Sequence, residues 1–405
     1  MISRLRTSLA AAILAVLAVG AVSCAQDPTT SGGNTTPIAV DRPLPQLAPD
    51  AWANRGQIVR AQPFELDGDP QHHVGGGQRV IYRSVSAYDG KATEVSGTVF
   101  VPKGPPPEGG WPVVAFAHGT TGLTQECGPS LYPDLKGYAE TVASLTGEGY
   151  AVAFTDYQGL GTDGVHPYLE PRTAAFNVID SVRALRHAFP DISTRWLALG
   201  GSQGGQAAWA ANEYAKDYGS DLDLVGSLAV APAVDLTAIA HEAQTGELSP
   251  LGISVMPLII AGLEVEHPSL RESDYLRGAA AQEKQALISC SDKDSNIELS
   301  IDDVRPSSDA AADALLRMLG DNALPQRSLT APMLVVNGSD DDMVRPEWVD
   351  AAVHRACELG GTVEHTVQQG RGHLDVSYGD QGTRWIRDRF DGQPAPSNCD
   401  ATSRE

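Results

Sequence analysis

Basic residues are scarce in this sequence of 405 residues. It has 29 Lys and Arg against 51 Asp and Glu, which gives a formal net charge of −22. Phosphate backbones are bound by clustered Lys and Arg, so this balance argues against a nucleic-acid partner. Cysteine is also rare: five occur, no two of them form a CxxC pair, and no HExxH motif is present. We therefore predict no metal site and no cofactor.

Long apolar runs are missing as well. The run Leu9–Val22 is short for a stable membrane span, and the arginines before it and small residues after it are typical of an export signal over residues 1–23. Ala21-Val22-Ser23-Cys24 resembles a bacterial lipobox, although Ala21 stands where Leu is usual. We expect an exported bacterial protein that a lipid on Cys24 anchors to the membrane. Ordinary signal cleavage nearby is the alternative, and it would leave a freely secreted protein.

The rest of the chain has the pattern of one domain behind a linker. Residues 24–55 are polar and rich in Pro, Gly and Thr, which predicts a flexible tether before a domain at 56–400. Two strands, at 79–87 and 92–102, are predicted to pair antiparallel at a sheet edge, and continuous apolar runs then alternate with helical stretches. Strands buried on both faces and separated by helices indicate an α/β fold with a mostly parallel central sheet flanked by helices.

The alternation of strands and helices stops between residues 235 and 328. Helix-like segments there surround the apolar run 248–263, which is too short and too often interrupted by Pro and Gly to span a membrane. We predict that this block is a helical cap inserted into the domain. Its apolar run, with Ile259 and Ile260, either lines a substrate pocket or packs as ordinary core, and both interpretations fit the sequence equally well.

A serine between glycines is the first chemical signal. Gly200-Gly201-Ser202-Gln203-Gly204 follows the strand-like residues 196–199 and opens a helical stretch. This context is typical of a nucleophile elbow, a sharp strand-to-helix turn whose flanking glycines let the helix approach the neighbouring strand. A Gly-rich turn with a solvated Ser is the alternative. The strand before Ser202 and the helix after it favour the elbow.

A serine nucleophile needs a base within hydrogen-bond reach, and that base needs an acid to orient it. In this type of fold the chain order is Ser, acid, His. His373 fits as the base because it lies in a loop between the last strand-like run and the last helix. His354 and His365 fall within a predicted helix and a predicted strand, where a packed or solvated His is the simpler interpretation.

Three adjacent carboxylates follow the strand that comes before the histidine loop. They are Asp340, Asp341 and Asp342. The spacing Gly-x-x-Asp-x-x-Val recurs in hydrolases, and counting it from Gly338 to Val344 selects Asp341 as the acid. Asp340 is the next choice.

Negative charge that develops on a substrate oxygen needs backbone N–H donors, one from the residue after the nucleophile and one from an earlier loop. Gln203 supplies the first donor. An early strand leads into His118-Gly119-Thr120-Thr121-Gly122, which suits the second donor, and Thr120 is preferred over Thr121. His118 is interpreted as a residue that braces this loop.

Three motifs together carry a family resemblance. They are Gly-Gly-Ser-Gln-Gly-Gly at 200–205, the His-Gly-Thr-Thr-Gly loop at 118–122 and Asp-Tyr-Gln-Gly-Leu-Gly-Thr at 156–162. In combination they resemble the secretory lipase family of α/β-hydrolases, over roughly residues 60–400. The resemblance implies an α/β-hydrolase fold with a cap, and the cleavage of acylglycerols or simpler lipid esters.

The same resemblance implies roles for individual residues. It supports Ser202, Asp341 and His373 at the positions already selected. The segment 156–162, which continues to His-Pro-Tyr-Leu at 166–169, is expected to lie near the substrate pocket, and we place Tyr157 and Thr121 there. An ordinary strand end followed by a turn is the alternative for this segment.

The cysteines other than Cys24 form an even set of four, which outside the cytoplasm suggests two disulfides with three possible connectivities. The family resemblance implies the pairs Cys127–Cys290 and Cys357–Cys399. Such bridges agree with an exported protein, either a cell-envelope lipoprotein or a secreted one.

Other functions fit parts of the same pattern. A serine peptidase on the same fold would use the same nucleophile and oxyanion donors. The apolar cap and the absence of a clear charged specificity cluster favour esters over peptides. A surface lipoprotein that binds ligands on an inactive hydrolase scaffold is a third interpretation, and the presence of Ser, Asp and His candidates argues against it.

Overall fold

Within residues 43–290 and 297–402, which are those that the structure describes, nine strands form one mixed sheet in a computed structural model of the protein. The predicted export signal and the lipid-bearing Cys24 lie outside these described residues. The strands are β1 (Ile58–Pro63), β2 (Val74–Val85), β3 (Ala92–Pro102), β4 (Trp111–Ala117), β5 (Ala151–Thr155), β6 (Ile192–Gly201), β7 (Asp223–Val230), β8 (Met333–Gly338) and β9 (Val363–Gln368).

Helices cover both faces of this sheet. The α-helices are α1 (Pro49–Ala53), α2 (Ala139–Gly147), α3 (Pro171–Ala188), α4 (Gln203–Tyr218), α5 (Ala238–Thr245), α6 (Pro250–Glu266), α7 (Gly278–Gln282), α8 (Lys284–Leu287), α9 (Ile301–Val304), α10 (Asp309–Asn322), α11 (Pro346–Glu358), α12 (Gly379–Phe390) and α13 (Cys399–Thr402). Short 3₁₀ helices occur at Asp69–His73, Gln125–Cys127, Pro129–Leu131, Leu135–Gly137 and Glu272–Asp274.

The strand order across the sheet is β1-β2-β3-β5-β4-β6-β7-β8-β9. The pairs β1–β2, β2–β3 and β3–β5 are antiparallel, and every pair from β5 to β9 is parallel. The α/β class with a mostly parallel sheet is therefore confirmed. The predicted antiparallel pairing of residues 79–87 with 92–102 also holds, within β2 and β3.

The central strands are apolar on both faces because helices pack on both. Alternate side chains of a strand point to opposite faces. In β6, Trp196 and Ala198 join the core that contains α3 and α4, whereas Leu197 and Leu199 join the core that contains α2 and α12. Every residue of β5 and β8 is buried. This double burial explains the continuous apolar runs in the sequence.

The sheet has one more strand at its antiparallel edge than the sequence predicted. In β1, Ile58 is half-buried and the other residues are exposed, so the strand shows no alternation that sequence inspection could detect. It pairs with β2 along its length, with a register shift between Ile58 and Arg60. Edge strands of this kind are held by backbone hydrogen bonds rather than by an apolar face.

The packed domain begins before the boundary expected at residue 56, so the tether predicted at 24–55 is too long at its C-terminal end. Helix α1 packs through Trp52, whose ring meets that of Tyr218 edge-on with 5.7 Å between centroids. The guanidinium of Arg55 lies 3.5 Å from the centroid of the Trp52 ring and also donates to the carbonyl oxygen of Tyr218. These contacts fix residues 49–55 against the C-terminal end of α4.

Between β7 and β8 the chain leaves the sheet and forms helices α5 to α10. No strand occurs in the described part of this insertion, residues 235–290 and 297–328. The apolar run 248–263 forms most of α6, where the Ser249 hydroxyl accepts the N–H of Gly252 and caps the helix. Across the described ranges, no single helix is long and apolar enough to cross a membrane, and α5 with α6 meets that test only as a pair bent by 117°.

Two disulfide bonds are present among the described cysteines, Cys127–Cys290 and Cys357–Cys399. These are the pairs that the family resemblance implied. The first joins the loop after β4 to the insertion. The second joins the end of α11 to the last helix, α13, and it therefore ties the C-terminal segment to the domain.

We predict that replacing both Cys357 and Cys399 by Ala lowers the free energy of unfolding. The bonded residues are 42 positions apart, and a loop of that length is worth about 4 kcal/mol in the chain-entropy estimate. Guanidinium unfolding of the oxidised wild type and the double variant measures the difference. An unchanged denaturation midpoint would contradict the prediction.

Candidate active site

Ser202 stands at a sharp turn between β6, which ends at Gly201, and α4, which begins at Gln203. Its backbone has φ 56° and ψ −119°, a conformation that residues other than glycine rarely adopt. The amide of Ser202 donates to the carbonyl oxygen of Val230 at 2.8 Å, so the neighbouring strand β7 holds the turn. Such strained turns persist where the surrounding structure fixes them, and they cluster at functional sites.

Two glycines make this turn possible. A Cβ atom on Gly204 would lie 2.0 Å from the carbonyl oxygen of Ala117 in β4. A Cβ atom on Gly200 would lie 2.2 Å from the carbonyl oxygen of Gly204. Both distances are far below van der Waals contact, so α4 can cross the end of β4 only because these positions carry hydrogen atoms.

The structure brings His373 and Asp341 to Ser202. The Ser202 hydroxyl lies 2.9 Å from His373 Nε2, and His373 Nδ1 lies 2.8 Å from Asp341 Oδ2. The other carboxylate oxygen of Asp341 accepts the amides of Met343 at 3.0 Å and Val344 at 2.8 Å. In this arrangement the neutral imidazole donates from Nδ1 to the carboxylate and accepts the serine proton at Nε2.

The neighbouring acids take no part in this contact. Asp340 is exposed and accepts a hydrogen bond from Ser339 Oγ at 2.7 Å. Asp342 is exposed too, and its carbonyl oxygen accepts the Ser249 hydroxyl at 2.8 Å. Of the three adjacent carboxylates, Asp341 is the one whose side chain is fully buried and turned to the histidine.

The other two histidines considered for the base lie elsewhere. His354 is on α11, 3.5 Å from the carboxylate of Glu358. His365 is on β9, with its Nε2 atom 2.6 Å from Asn337 Oδ1. Burial lowers the pKa of His365. Neither ring contacts Ser202, which agrees with the simpler interpretation of both residues.

The loop after β4 passes beside the serine. A Cβ atom on Gly119 would lie 4.0 Å from that of Ser202, and the Gly119 amide donates to the Tyr138 hydroxyl at 3.0 Å. In the described ranges, the amide N–H groups of Thr120 and Gln203 have no acceptor. Both predicted oxyanion donors are therefore free to bind a substrate oxygen.

His118 has the surroundings of a bracing residue. Its ring is fully buried, with Nδ1 2.6 Å from the carbonyl oxygen of Gly119 and Nε2 3.2 Å from that of Asp156. Burial lowers its pKa. The ring contacts no atom of Ser202, so it connects two loops rather than the reacting atoms.

The sequence model of the secretory lipase family matches residues 138–398 of the chain. The chain belongs to the secretory lipase family. The resemblance inferred from the three motifs is thereby confirmed.

Individual lipases extend this match. A probable inactive lipase of Mycobacterium tuberculosis is 25% identical over 347 residues, which cover 78% of this chain and 74% of that protein. Lipase 1 of Candida albicans is 24% identical, with 91% and 85% of the two chains covered. Membership in this family supports ester hydrolysis as the class of activity.

Solved structures of lipases and esterases share the fold. Candida antarctica lipase A superposes with a TM-score of 0.70 at 16% identity, covering 90% of this chain and 89% of that one. The rice cell wall degrading esterase LipA of Xanthomonas oryzae has a TM-score of 0.66 at 20% identity, covering 84% of this chain and 100% of that one. At these identities the similarity establishes the α/β-hydrolase fold.

The residues predicted to line a pocket in this secretory lipase have different surroundings. Tyr157 is buried, and its hydroxyl donates to the carbonyl oxygen of His118 at 2.9 Å, so it braces the site from within the core. Thr121 is buried with no partner for its hydroxyl among the described residues. Ile259 lines a small cavity of about 20 Å³, whereas Ile260 is fully buried and does not line it.

That cavity lies between the insertion and α4. Leu263 of α6 and Gln206 of α4 line it together with Ile259. A volume of this size holds a single water molecule and no more. An acyl chain can therefore enter this space only if the surrounding side chains move.

Two functional candidates of this lipase received no role from the sequence. His166 and Tyr168 lie in the loop between β5 and α3, and both side chains are buried. Burial lowers the pKa of His166 to about 3. The only sequence signal was the His-Pro-Tyr-Leu stretch shortly after the third motif, which indicated proximity to the pocket.

The described residues contain no group of three or more His, Cys, Asp and Glu side chains that could hold a metal ion.

We predict that Gly204→Ala destabilises this lipase while Gly201→Ala does not. The added methyl group at Gly204 collides with the β4 backbone, which costs about 1–3 kcal/mol or more. At Gly201 the nearest atom to an added Cβ is 3.8 Å away. Urea unfolding of both variants measures the difference in free energy of unfolding. Equal stability of the two variants would contradict the prediction.

Proposed function

We propose that this secretory lipase cleaves carboxylic esters through an acyl-enzyme on Ser202. One observation carries the proposal: Ser202, His373 and Asp341 form a chain of hydrogen bonds of 2.9 and 2.8 Å at a strained strand-to-helix turn. A nucleophile, a base and an orienting acid in that order are what acyl transfer to a serine requires.

The reaction begins with the transfer of the Ser202 proton to His373 Nε2. The serine oxygen attacks the ester carbonyl carbon, and the carbonyl oxygen becomes an oxyanion. The buried carboxylate of Asp341 stabilises the imidazolium that forms. The tetrahedral intermediate then collapses, the alcohol leaves with the proton from His373, and the acyl group remains as an ester on Ser202.

Water completes the cycle by the same route. His373 takes a proton from the water, whose oxygen attacks the acyl-enzyme, and Ser202 leaves with that proton as the carboxylic acid is released. The amides of Gln203 and Thr120 donate to the oxyanion in both halves of the reaction. Because neither amide has an acceptor among the described residues, no hydrogen bond must be broken before they serve.

Lipid or acylglycerol esters are the proposed substrates. The family supports this choice, as does the apolar character of α6, whose Ile259 and Leu263 face the cavity beside α4. We propose that residues 235–328 act as the cap of the site. No charged side chain lines that cavity, and this lining favours an acyl group over a peptidase substrate that is recognised by charge.

Two further proposals concern activity and location. The Mycobacterium tuberculosis relative is named as a probable inactive lipase. In this chain Ser202 and Asp341 each lie within hydrogen-bond distance of His373, which supports an active enzyme over a binding lipoprotein. The secretory family and the two disulfides support export. Cys24 is the proposed lipid anchor, with free secretion as the alternative.

We predict that Ser202→Ala lowers the rate of ester hydrolysis by several orders of magnitude while the protein stays folded. The measurement uses nitrophenyl esters from acetate to palmitate and, in parallel, aminoacyl anilides. Wild-type protein should hydrolyse the esters and leave the anilides largely intact. Retained ester hydrolysis in Ser202→Ala would contradict the mechanism, and faster anilide cleavage would favour a peptidase.

The adjacent acids provide matched controls for this experiment. Asp341→Asn should lower kcat by about 10⁴-fold, because the amide holds the imidazole in the wrong tautomer. Asp340→Asn and Asp342→Asn make the same chemical change at exposed positions, so their activity should stay near that of the wild type. Equal, modest losses in all three variants would contradict the role of Asp341.

We predict that Ile259→Ala shifts the preference toward longer acyl chains. The change enlarges the small cavity beside α4, and each further methylene buried there contributes about 0.8 kcal/mol, or about fourfold in kcat/KM. Ile260→Ala is the control, since Ile260 is equally buried but does not line the cavity. The same chain-length profile in both variants would contradict an acyl site at this position.

A further inference from the structure

The loop between β5 and α3, residues 156–170, contacts both residues that carry the proposed oxyanion donors. His166 Nε2 lies 2.8 Å from Gln203 Nε2, and the Tyr168 hydroxyl lies 2.7 Å from Thr120 Oγ1. The Tyr168 amide donates to the His166 carbonyl oxygen at 2.9 Å, which couples the two contacts through one stretch of backbone. One loop thus reaches the two sides of the site.

The contact at Gln203 depends on a neutral His166. The ring Nδ1–H donates to the carbonyl oxygen of Gln158 at 2.9 Å, which leaves Nε2 as the acceptor for the Gln203 amide group. Burial keeps the imidazole uncharged, with its pKa lowered to about 3. The ring also stacks on Tyr157, with 5.8 Å between centroids and an interplanar angle of 17°. His166 therefore has one available position and one available tautomer.

The loop is itself held firmly at its start. The buried carboxylate of Asp156 accepts the Ser130 amide at 2.8 Å and the hydroxyls of Ser130 and Ser96. Gly159, at φ 81°, lies against the backbone next to His166, where an added Cβ would be 2.4 Å from the His166 amide nitrogen. This close approach directs the imidazole toward α4.

Strained backbone brackets the same segment. Tyr157 has φ 71° and Leu169 has φ 63°, values that bulky side chains seldom adopt. Strain of this kind costs free energy and is retained where it serves a site. The segment that it brackets contains His166 and Tyr168.

We propose that His166 and Tyr168 are positioning residues that hold the two oxyanion-hole amides in place. This inference rests on the proposed function, since it gives the amides of Gln203 and Thr120 their catalytic use. Oxyanion donors act only within about 2.7–3.1 Å of the developing charge, and a misplacement of about 1 Å can cost about 100-fold in rate. Anchoring the side chain of each donor residue limits rotation of the peptide group that carries the N–H.

The first test removes a single oxygen. Tyr168→Phe should lower kcat for a nitrophenyl ester about tenfold, with KM changed by less than about twofold. Tyr275→Phe is the matched control, because the Tyr275 hydroxyl is also buried and donates to the Ala311 carbonyl oxygen, in the insertion. A fall in kcat of the same size in both variants would indicate general destabilisation and overturn the proposal.

A double-mutant cycle separates positioning from stability. If Tyr168 acts through the Thr120 side chain, then Thr120→Val and Tyr168→Phe together should lower kcat no more than either change alone. Additive losses would overturn the inferred route. For the other contact, His166→Phe keeps the stacked ring and should lower kcat about 100-fold. If that variant fails to fold, Gln203→Met removes the same hydrogen bond from the other side and should lower kcat in the same way.

A readout without turnover distinguishes this proposal from the proposed function. The ¹H–¹⁵N shifts of the Thr120 and Gln203 amides report their orientation directly. The Thr120 amide should shift in Tyr168→Phe and stay in place in Tyr275→Phe, whether or not the protein hydrolyses the ester. If the wild-type protein does not hydrolyse esters, the proposed function is refuted but the positioning role is not. Unchanged amide shifts in Tyr168→Phe would overturn the positioning role.

Discussion

The site depends on the crossing of α4 over the end of β4, where the two backbones meet without side chains between them. At Gly204 only a hydrogen atom separates the helix from the carbonyl oxygen of Ala117. This close crossing forces the chain to turn sharply at Ser202. The turn lifts the Ser202 hydroxyl out of the sheet and leaves the amide of the next residue without an acceptor in the helix. The proposed nucleophile and the first proposed oxyanion donor are thus two consequences of one packing constraint.

The acid is held by a second constraint, the cost of burying a carboxylate. An ionised side chain removed from water is tolerated only when its oxygens are fully hydrogen-bonded. Asp341 is buried, and the amides of Met343 and Val344 together with His373 supply its partners. Asp340 is exposed and accepts the Ser339 hydroxyl, so its carboxylate needs no contact with the histidine. The turn after β8 therefore selects one of three adjacent acids.

Sequence patterns predicted what depends on neighbours along the chain. The buried strands follow from continuous apolar runs, Ser202 from the glycines around it, and Asp341 from its spacing to Gly338 and Val344. Features without a local pattern were missed. Strand β1 has a mostly exposed surface and is held by backbone pairing, and the early start of the packed domain depends on Trp52 meeting a tyrosine far along the chain.

The contacts of the 156–170 loop could not be predicted from local sequence patterns either, because they join residues that are far apart along the chain. His166 and Gln203 are 37 positions apart, and Thr120 and Tyr168 are 48 apart. Their meeting is set by the tight approach at Gly159 and by the buried Asp156, neither of which shows in periodicity. A loop that the sequence placed near a pocket contacts Gln203 and Thr120, the two residues proposed to carry the oxyanion donors.

Helix α6 contacts two of these elements at once. Its capping residue Ser249 donates to the carbonyl oxygen of Asp342, next to the buried acid. Near its other end, Gly262 lies against Tyr168, where an added Cβ would be 2.5 Å from the Tyr168 carbonyl oxygen. Packed surfaces of this kind shift between discrete arrangements rather than deforming continuously. Any displacement of α6 that opens the cavity beside α4 must therefore break the contacts at Asp342 and Tyr168 or move those residues with it. If α6 admits the substrate as proposed, its movement and the geometry of the proposed oxyanion donors are mechanically linked.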